Sequence, residues 1–457
     1  MLPEKIASFI ETNRDRFVEE LAEFLAIPSV STLPENEKDV RSAAEWVLAQ
    51  LKKFGFTGRL HETERHPIVL ARSPEVPGAP VLLVYGHYDV QPPDPLDEWK
   101  TPPFHPDIRD GFIYARGATD DKGQMFTYIK AVESFLSTGQ QLPLNLIFMI
   151  EGEEEIGSQS FKKFLEDHRN DLISDMVAIS DGSQFSRGLP AITYGLRGLC
   201  YFQIDVQGPQ FDLHSGVFGG IVHNPAQVLV DILSSLKNPD DTVALPGFYN
   251  DVLPLQDWER REMASLPLDE AALKNYLGVS ELTGEPGYTV IERKSARPTL
   301  DINGIWGGFS GEGAKTIIPG KASAKVSMRL VPNQQPGKIT ALFQDYINAK
   351  TPRGMKIKVT ELHGAEPVLV SRDTAAMRAA EEAIEAGFGR KPVFIREGGS
   401  IPIVNLIKTY LGQENILLLG WGNPDDGAHS PNERFFLEDF FSGIRSIIAL
   451  FNKLAGK

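Results

Sequence analysis

At 457 residues the chain is too long for one ordinary hydrophobic core, which points to two or three domains. Its 42% hydrophobic and 23% charged content is that of a soluble globular protein, and a net charge of −15 argues against nucleic acid or an anionic membrane surface as a partner. The one cysteine, Cys200, excludes an intrachain disulfide and a thiolate metal cluster, which fits a reducing compartment.

Met1-Leu2-Pro3-Glu4-Lys5 does not open a basic stretch followed by an apolar one, so no signal peptide is expected. No apolar run approaches membrane-spanning length either, and the expected location is the cytoplasm. In chain order, Ile6, Phe9, Ile10, Phe17, Leu21, Phe24 and Leu25 recur at helical spacing and predict one helix over 6–25, ended by Pro28. A second amphipathic helix is expected over 40–54. Residues 81–85 read as a buried strand that delivers Gly86-His87-Tyr88-Asp89-Val90. Beyond a Pro-rich loop over 91–106, residues 115–123 open a helix whose apolar face is Met125, Ile129, Val132 and Phe135.

Behind Pro143, residues 144–150 form a second buried strand, which runs into Glu151-Gly152-Glu153-Glu154-Glu155-Ile156-Gly157-Ser158. Carboxylates this crowded repel by roughly 3 kcal/mol per pair at ~5 Å and an effective dielectric of ~20. On a solvated helix, water and salt would relieve that repulsion. At the mouth of a buried strand it calls for a counter-charge, most simply a divalent cation. After a helix near 160–168, the strand 176–179 delivers Ser180-Asp181-Gly182. Strands alternating with helices specify an α/β domain with a doubly wound, mostly parallel sheet, in which ligands bind beyond the carboxyl ends of the strands. His87, Glu154, Glu155 and Asp181 all fall there.

From about Gly195 the pattern changes. Residues 199–206 alternate with period two, as do 322–330 and, more weakly, 355–362. With helices over 225–236 and 337–349, they predict an inserted α+β lid or dimerisation module with an antiparallel sheet, interrupted by a loop-rich excursion over 239–295. A helix over 374–387 and a strand over 416–419 return to the first pattern, ahead of Gly427-Ala428-His429-Ser430-Pro431-Asn432-Glu433. The expected division is 1–195 and 369–457 for the catalytic domain and 196–368 for the insert.

Each chemical residue has a plain alternative: His87 a core histidine, Asp120 a helix N-cap, Asp181 and His429 turn residues. Together, two histidines and three carboxylates make a nitrogen–oxygen site suited to zinc, manganese or cobalt. A carboxylate shared by two ions and one left over as general base would make a two-metal hydrolase. Asp89 can accept the second ring N–H of His87, fixing its tautomer. Gly308-Phe309-Ser310-Gly311-Glu312-Gly313-Ala314-Lys315-Thr316 imitates a phosphate-binding loop, but Ala314 separates glycine from lysine and breaks the required spacing.

In order along the chain, Gly86-His87-Tyr88-Asp89-Val90, Gly117-Ala118-Thr119-Asp120-Asp121-Lys122-Gly123, the glutamate stretch, Ser180-Asp181-Gly182 and Gly427-Ala428-His429-Ser430 resemble the signature of the M20 metallopeptidase family. Asp212-Leu213-His214-Ser215-Gly216, Ser327-Met328-Arg329-Leu330-Val331-Pro332 and Arg396-Glu397-Gly398-Gly399-Ser400-Ile401-Pro402 are similar to its cytosolic dipeptidase and carnosinase branch. The resemblance implies that Asp120 bridges two divalent ions, zinc or manganese. His87 and Asp181 would complete one site, and Glu155 and His429 the other. It implies Glu154 as general base, Asp89 as orienter of His87, and a cis peptide between Asp120 and Asp121. Arg329 would hold a substrate carboxylate, with Gly399 and Ser400 lining that end and Asn303 adding a contact. His214 would reach the scissile carbonyl from the partner subunit of a homodimer. Glu153 would point away from the ions. The implied activity is hydrolysis of dipeptides or short peptides with a free C-terminal carboxylate; an N-acyl or N-carbamoyl amino acid amidohydrolase could use the same centre. Outside enzymes, a metal-stabilised interaction protein and a metal-free binding module remain as readings.

Overall fold

A computed structural model describes residues 3–399 and 401–456 of the chain. They form two compact units: Met1–Tyr194 with Val370–Ile395 and Pro402–Lys457, and Gly195–Leu369 with Arg396–Ile401.

The first unit is built on a sheet with strand order Thr57–His61, Ile68–Arg72, Asn145–Glu151, Val81–His87, Met176–Ser180, Ile416–Leu419 and Ala191–Leu196. The four central strands run parallel, and the pairings on either side of them are antiparallel. Apolar runs explain this centre: Leu82, Leu83, Val84, Phe148, Met149, Val177 and Ala178 expose no surface, as strands covered on both faces require. Helix Lys122–Ser137 packs on strand Val81–His87 and on helix Leu437–Leu454, and is buried nearly all round rather than along one stripe. His87, Glu151 and Ser180 end their strands, so the residues that follow gather at one edge of the sheet.

The expected helix over 6–25 is two helices, Glu4–Thr12 and Arg14–Leu25. Asn13 breaks it: its backbone leaves the helical region and its side-chain amide donates to the Phe9 carbonyl at 2.8 Å, a local bond that competes with the helix ladder.

The second unit holds a four-stranded antiparallel sheet in the order Thr299–Gly307, Lys321–Leu330, Gly198–Gln207, Lys356–Ala365. Burial along Gly198–Gln207 alternates strictly, as its period-two sequence predicts. Phe202, Ile204 and Val206 face helices Pro225–Ser234 and Pro336–Lys350 through Ile232, Phe343 and Ile347. The excursion is less loop-like than its sequence suggests. It contains helices Asp257–Ser265, Glu270–Leu277 and Val290–Ser295, each too short for apolar periodicity to register. Among the described residues no helix is long and apolar enough to cross a membrane.

Candidate metal centre

His87 is fully buried at the end of its strand. Its Nδ1 lies 3.0 Å from the Asp89 carbonyl and 3.4 Å from Asp89 Oδ1. Both are acceptors, so Nδ1 carries a proton. Burial disfavours the charged ring, but Asp120, Asp181 and Asp89 outweigh it and raise the His87 pKa well above 6.5. Nε2 faces Asp120 Oδ1 at 3.1 Å and Asp181 Oδ1 at 3.9 Å. The other oxygen of Asp120 lies 2.9 Å from His429 Nε2, which is 3.3 Å from Glu155 Oε2. Two donor groups result, His87/Asp120/Asp181 and Asp120/Glu155/His429, and within each the donor atoms lie within 4.8 Å of one another.

Carboxylates gathered around a buried imidazole need positive charge among them, which a ring proton or a divalent cation supplies. The electrostatics make the same demand. Burial raises the carboxyls of Glu154, Glu155 and Asp181, and neighbouring Asp120 pushes each further, against the opposing pull of His87. Asp120 and Glu155 hold the His429 imidazolium up to about 11. Against its own burial, Asp120 is kept ionised by His429 and His87. This donor set, oxygen and imidazole without sulfur, fits divalent zinc or manganese.

Local backbone chemistry explains why these groups converge. The Asp89 carboxylate accepts the backbone N–H groups of Glu154 at 3.3 Å and Glu155 at 3.1 Å, fixing the short turn Glu154–Ile156. Gly157 ends that turn at φ 86, where a side chain would be strained. A Cβ at Gly152 would run into the Tyr88 ring. Gln91 Nε2 donates to Glu155 Oε2 at 2.7 Å. The Asp120–Asp121 peptide is cis, as the family resemblance implies, and the Asp121 carboxylate accepts the His87 N–H at 3.3 Å. His429 stands at φ 64, a left-handed conformation uncommon for a non-glycine residue.

The crowded glutamates separate by role. Glu151 accepts from the Tyr85 hydroxyl at 2.7 Å and Ser158 at 2.9 Å, and burial pushes its carboxyl up to about 8. Glu153 points away from the donor groups, accepting from Thr63 at 2.9 Å, the His66 N–H at 3.1 Å and the Ser160 N–H at 3.0 Å. Glu154 and Glu155 remain at the centre.

Sequence reasoning missed the role of Glu433. Fully buried, it accepts from Arg116 at 2.8 Å and from the N–H groups of Gly117, Thr119 and Asp120 at 2.9, 2.9 and 3.1 Å. It thereby holds the segment that carries Asp120.

His214, Asn303, Arg329 and Gly399 belong to the second unit. His214 is exposed, and its Nδ1 accepts the Gly216 N–H at 3.0 Å. Arg329 is half-buried on strand Lys321–Leu330, and burial lowers its pKa against the opposing charge of Asp301. Asn303 is exposed at a bulge in strand Thr299–Gly307, where the register shifts between Ile302 and Gly304. Gly399 is exposed. Ser400 lies outside the described residues.

A model of peptidase family M20/M25/M40 matches residues 83–453. The Cys-Gly metallodipeptidase dug1 of Schizosaccharomyces pombe is 35% identical over 99% of this chain and 98% of that protein. The Beta-Ala-His dipeptidase of Homo sapiens is 33% identical over 99% of this chain and 93% of that protein. The solved structure of the di-peptidase Dug1p of Saccharomyces cerevisiae superimposes with a TM-score of 0.87 at 32% identity, covering 99% of this chain and 98% of that one.

Proposed function

Since the chain belongs to peptidase family M20/M25/M40, we propose that it is a two-metal dipeptidase that hydrolyses dipeptides or similarly short peptides bearing a free C-terminal carboxylate. The observation that carries this reading is the placement of Asp120, with one oxygen beside His87 and the other beside His429. The ions would be zinc or manganese, held by His87, Asp120 and Asp181 on one side and Asp120, Glu155 and His429 on the other. When bound, they supply Lewis-acid polarisation of the scissile carbonyl and lower the proton affinity of the attacking water.

The chain's own residues do the rest. Glu154 takes a proton from the attacking water at its carboxylate and returns it to the leaving amine. Asp89 keeps the Nδ1 proton on His87 and sets the turn that bears Glu154. Arg329 pairs with the substrate carboxylate, a charge-assisted contact that longer or capped chains cannot make there. Gly399 and Ser400 line that end, and Asn303 adds a contact.

His214, contributed by the partner subunit of a homodimer, donates to the developing oxyanion. The Gly216 N–H bond supports this role, because it leaves the ring proton on the exposed Nε2. The dimer is supported by the edge strand Thr299–Gly307, on which Ile302, Ile305 and Trp306 are all exposed. In this reading the first unit is catalytic and the second a lid and dimerisation module, in a cytoplasmic enzyme.

The test is a panel of dipeptides, dipeptide amides and N-acetyl or N-carbamoyl amino acids, run with and without chelator and paired with elemental analysis. Glu154→Gln should retain metal and lose at least about 10²–10⁴-fold in kcat. Wild-type turnover in that variant, or a preparation active without metal, sinks the mechanism. A preference for N-acyl substrates over dipeptides would replace it with the amidohydrolase reading.

A further inference from the structure

The excursion over 239–295 carries none of the residues assigned above. Its helix Asp257–Ser265 opens with a capping box, in which Glu259 Oε2 accepts the Gln256 N–H at 3.1 Å. The other oxygen of Glu259 pairs with the Arg396 guanidinium. Both side chains are withdrawn from water, at 6% and 9% exposure, so neither charge has solvent to fall back on. The neighbouring Arg260 ties the helix into the excursion, through Glu292 at 2.8 Å and the Gly287 carbonyl at 2.8 Å. One residue therefore reaches out of the excursion while the next anchors the helix within it.

Arg396 begins the segment that leads to Gly399. Arg197 clamps the same segment: its N–H donates to the Glu397 carbonyl at 3.2 Å and its Nε to the Gly398 carbonyl at 3.2 Å. A Cβ at Gly398 would sit 2.6 Å from the Lys294 carbonyl oxygen and 2.7 Å from Arg197 Nη2, so even the backbone there is closely surrounded. At Gly399 a Cβ would meet nothing within 4 Å. A tightly held stem thus presents an open tip, the arrangement a preorganised binding contact needs.

We propose that Glu259 is a positioning residue for the carboxylate end of the substrate site, acting through Arg396 on the Gly398–Gly399 backbone, and that bracing this segment is what the excursion does for the enzyme. The proposal rests on the reading that Gly399 and Ser400 line that end.

The test uses the full-length, metal-loaded enzyme with one dipeptide and its C-terminal amide. Glu259→Gln should raise KM for the dipeptide by about tenfold to a hundredfold and leave kcat within about threefold. The already poor kcat/KM for the amide should not move, and Glu259→Asp should recover most of the loss. An unchanged KM, or an equal loss on both substrates, overturns the proposal. If Glu259→Gln does not fold, Arg396→Lys keeps the charge, loses the planar fork and is read by the same criteria. The underlying reading fails separately: a wild-type enzyme that cleaves the amide as readily as the dipeptide has no carboxylate site for Glu259 to position.

Discussion

Glu433 and Arg116 have side-chain exposures of 0% and 1%, and each is the other's charge partner. Glu433→Ala would leave the guanidinium buried without its carboxylate, a loss of about 3–5 kcal/mol. It would also release the N–H groups of Gly117, Thr119 and Asp120, so the variant should both melt earlier and hold less metal; calorimetry and elemental analysis read the two effects. His87, Glu155 and Asp181 were legible as candidates because each follows a buried strand closely, and Asp120 and His429 only through their place in the ordered set of motifs. Glu433 was not, because three of its four partners are backbone N–H groups, and which carboxylate they meet is decided only by the fold. The outward turn of Glu153 was expected, but its partners Thr63, His66 and Ser160 were not.

Among the elements, the period-two strands and the buried parallel strands were readable, whereas the edge strand Thr57–His61 was not. It is short and polar, nowhere fully buried, so it has no alternation to detect. It ends in a chain of hydrogen bonds. Arg59 Nε donates to His61 Nε2 at 3.2 Å, which places the His61 proton on Nδ1, 3.2 Å from His168 Nε2; His168 Nδ1 then donates to Asp171 at 3.2 Å. Both rings must be neutral for this chain to close. Burial lowers the His61 pKa from 6.5 to about 4, with His168 and Arg59 adding to the effect and Asp171 opposing it. Because the folded pKa lies below the unfolded one, the unfolded chain takes up the proton first. The contribution is therefore intact above pH 6.5 and is lost as pH falls towards 4. His61→Phe, which keeps a ring against Phe164, should show a shallower fall in melting temperature across that window than the wild type. Equal slopes would mean that His61 does not govern it.

For the whole molecule, divalent ions that bind only the folded centre add stability by mass action, about 4 kcal/mol per site at a thousandfold excess over Kd. Chelation should lower the melting temperature and zinc or manganese should restore it; an unchanged melting temperature would argue against a centre coupled to folding. The donors converge within the first unit although His87 and His429 stand far apart in the chain, with the whole of the second unit encoded between Asp181 and His429. Strand Ile416–Leu419 likewise takes its place in the sheet between Met176–Ser180 and Ala191–Leu196. A ribosome therefore finishes most of this polypeptide before the sheet can close or the last imidazole can arrive. On the proposed reading, the hydrolytic centre is complete only near the end of translation.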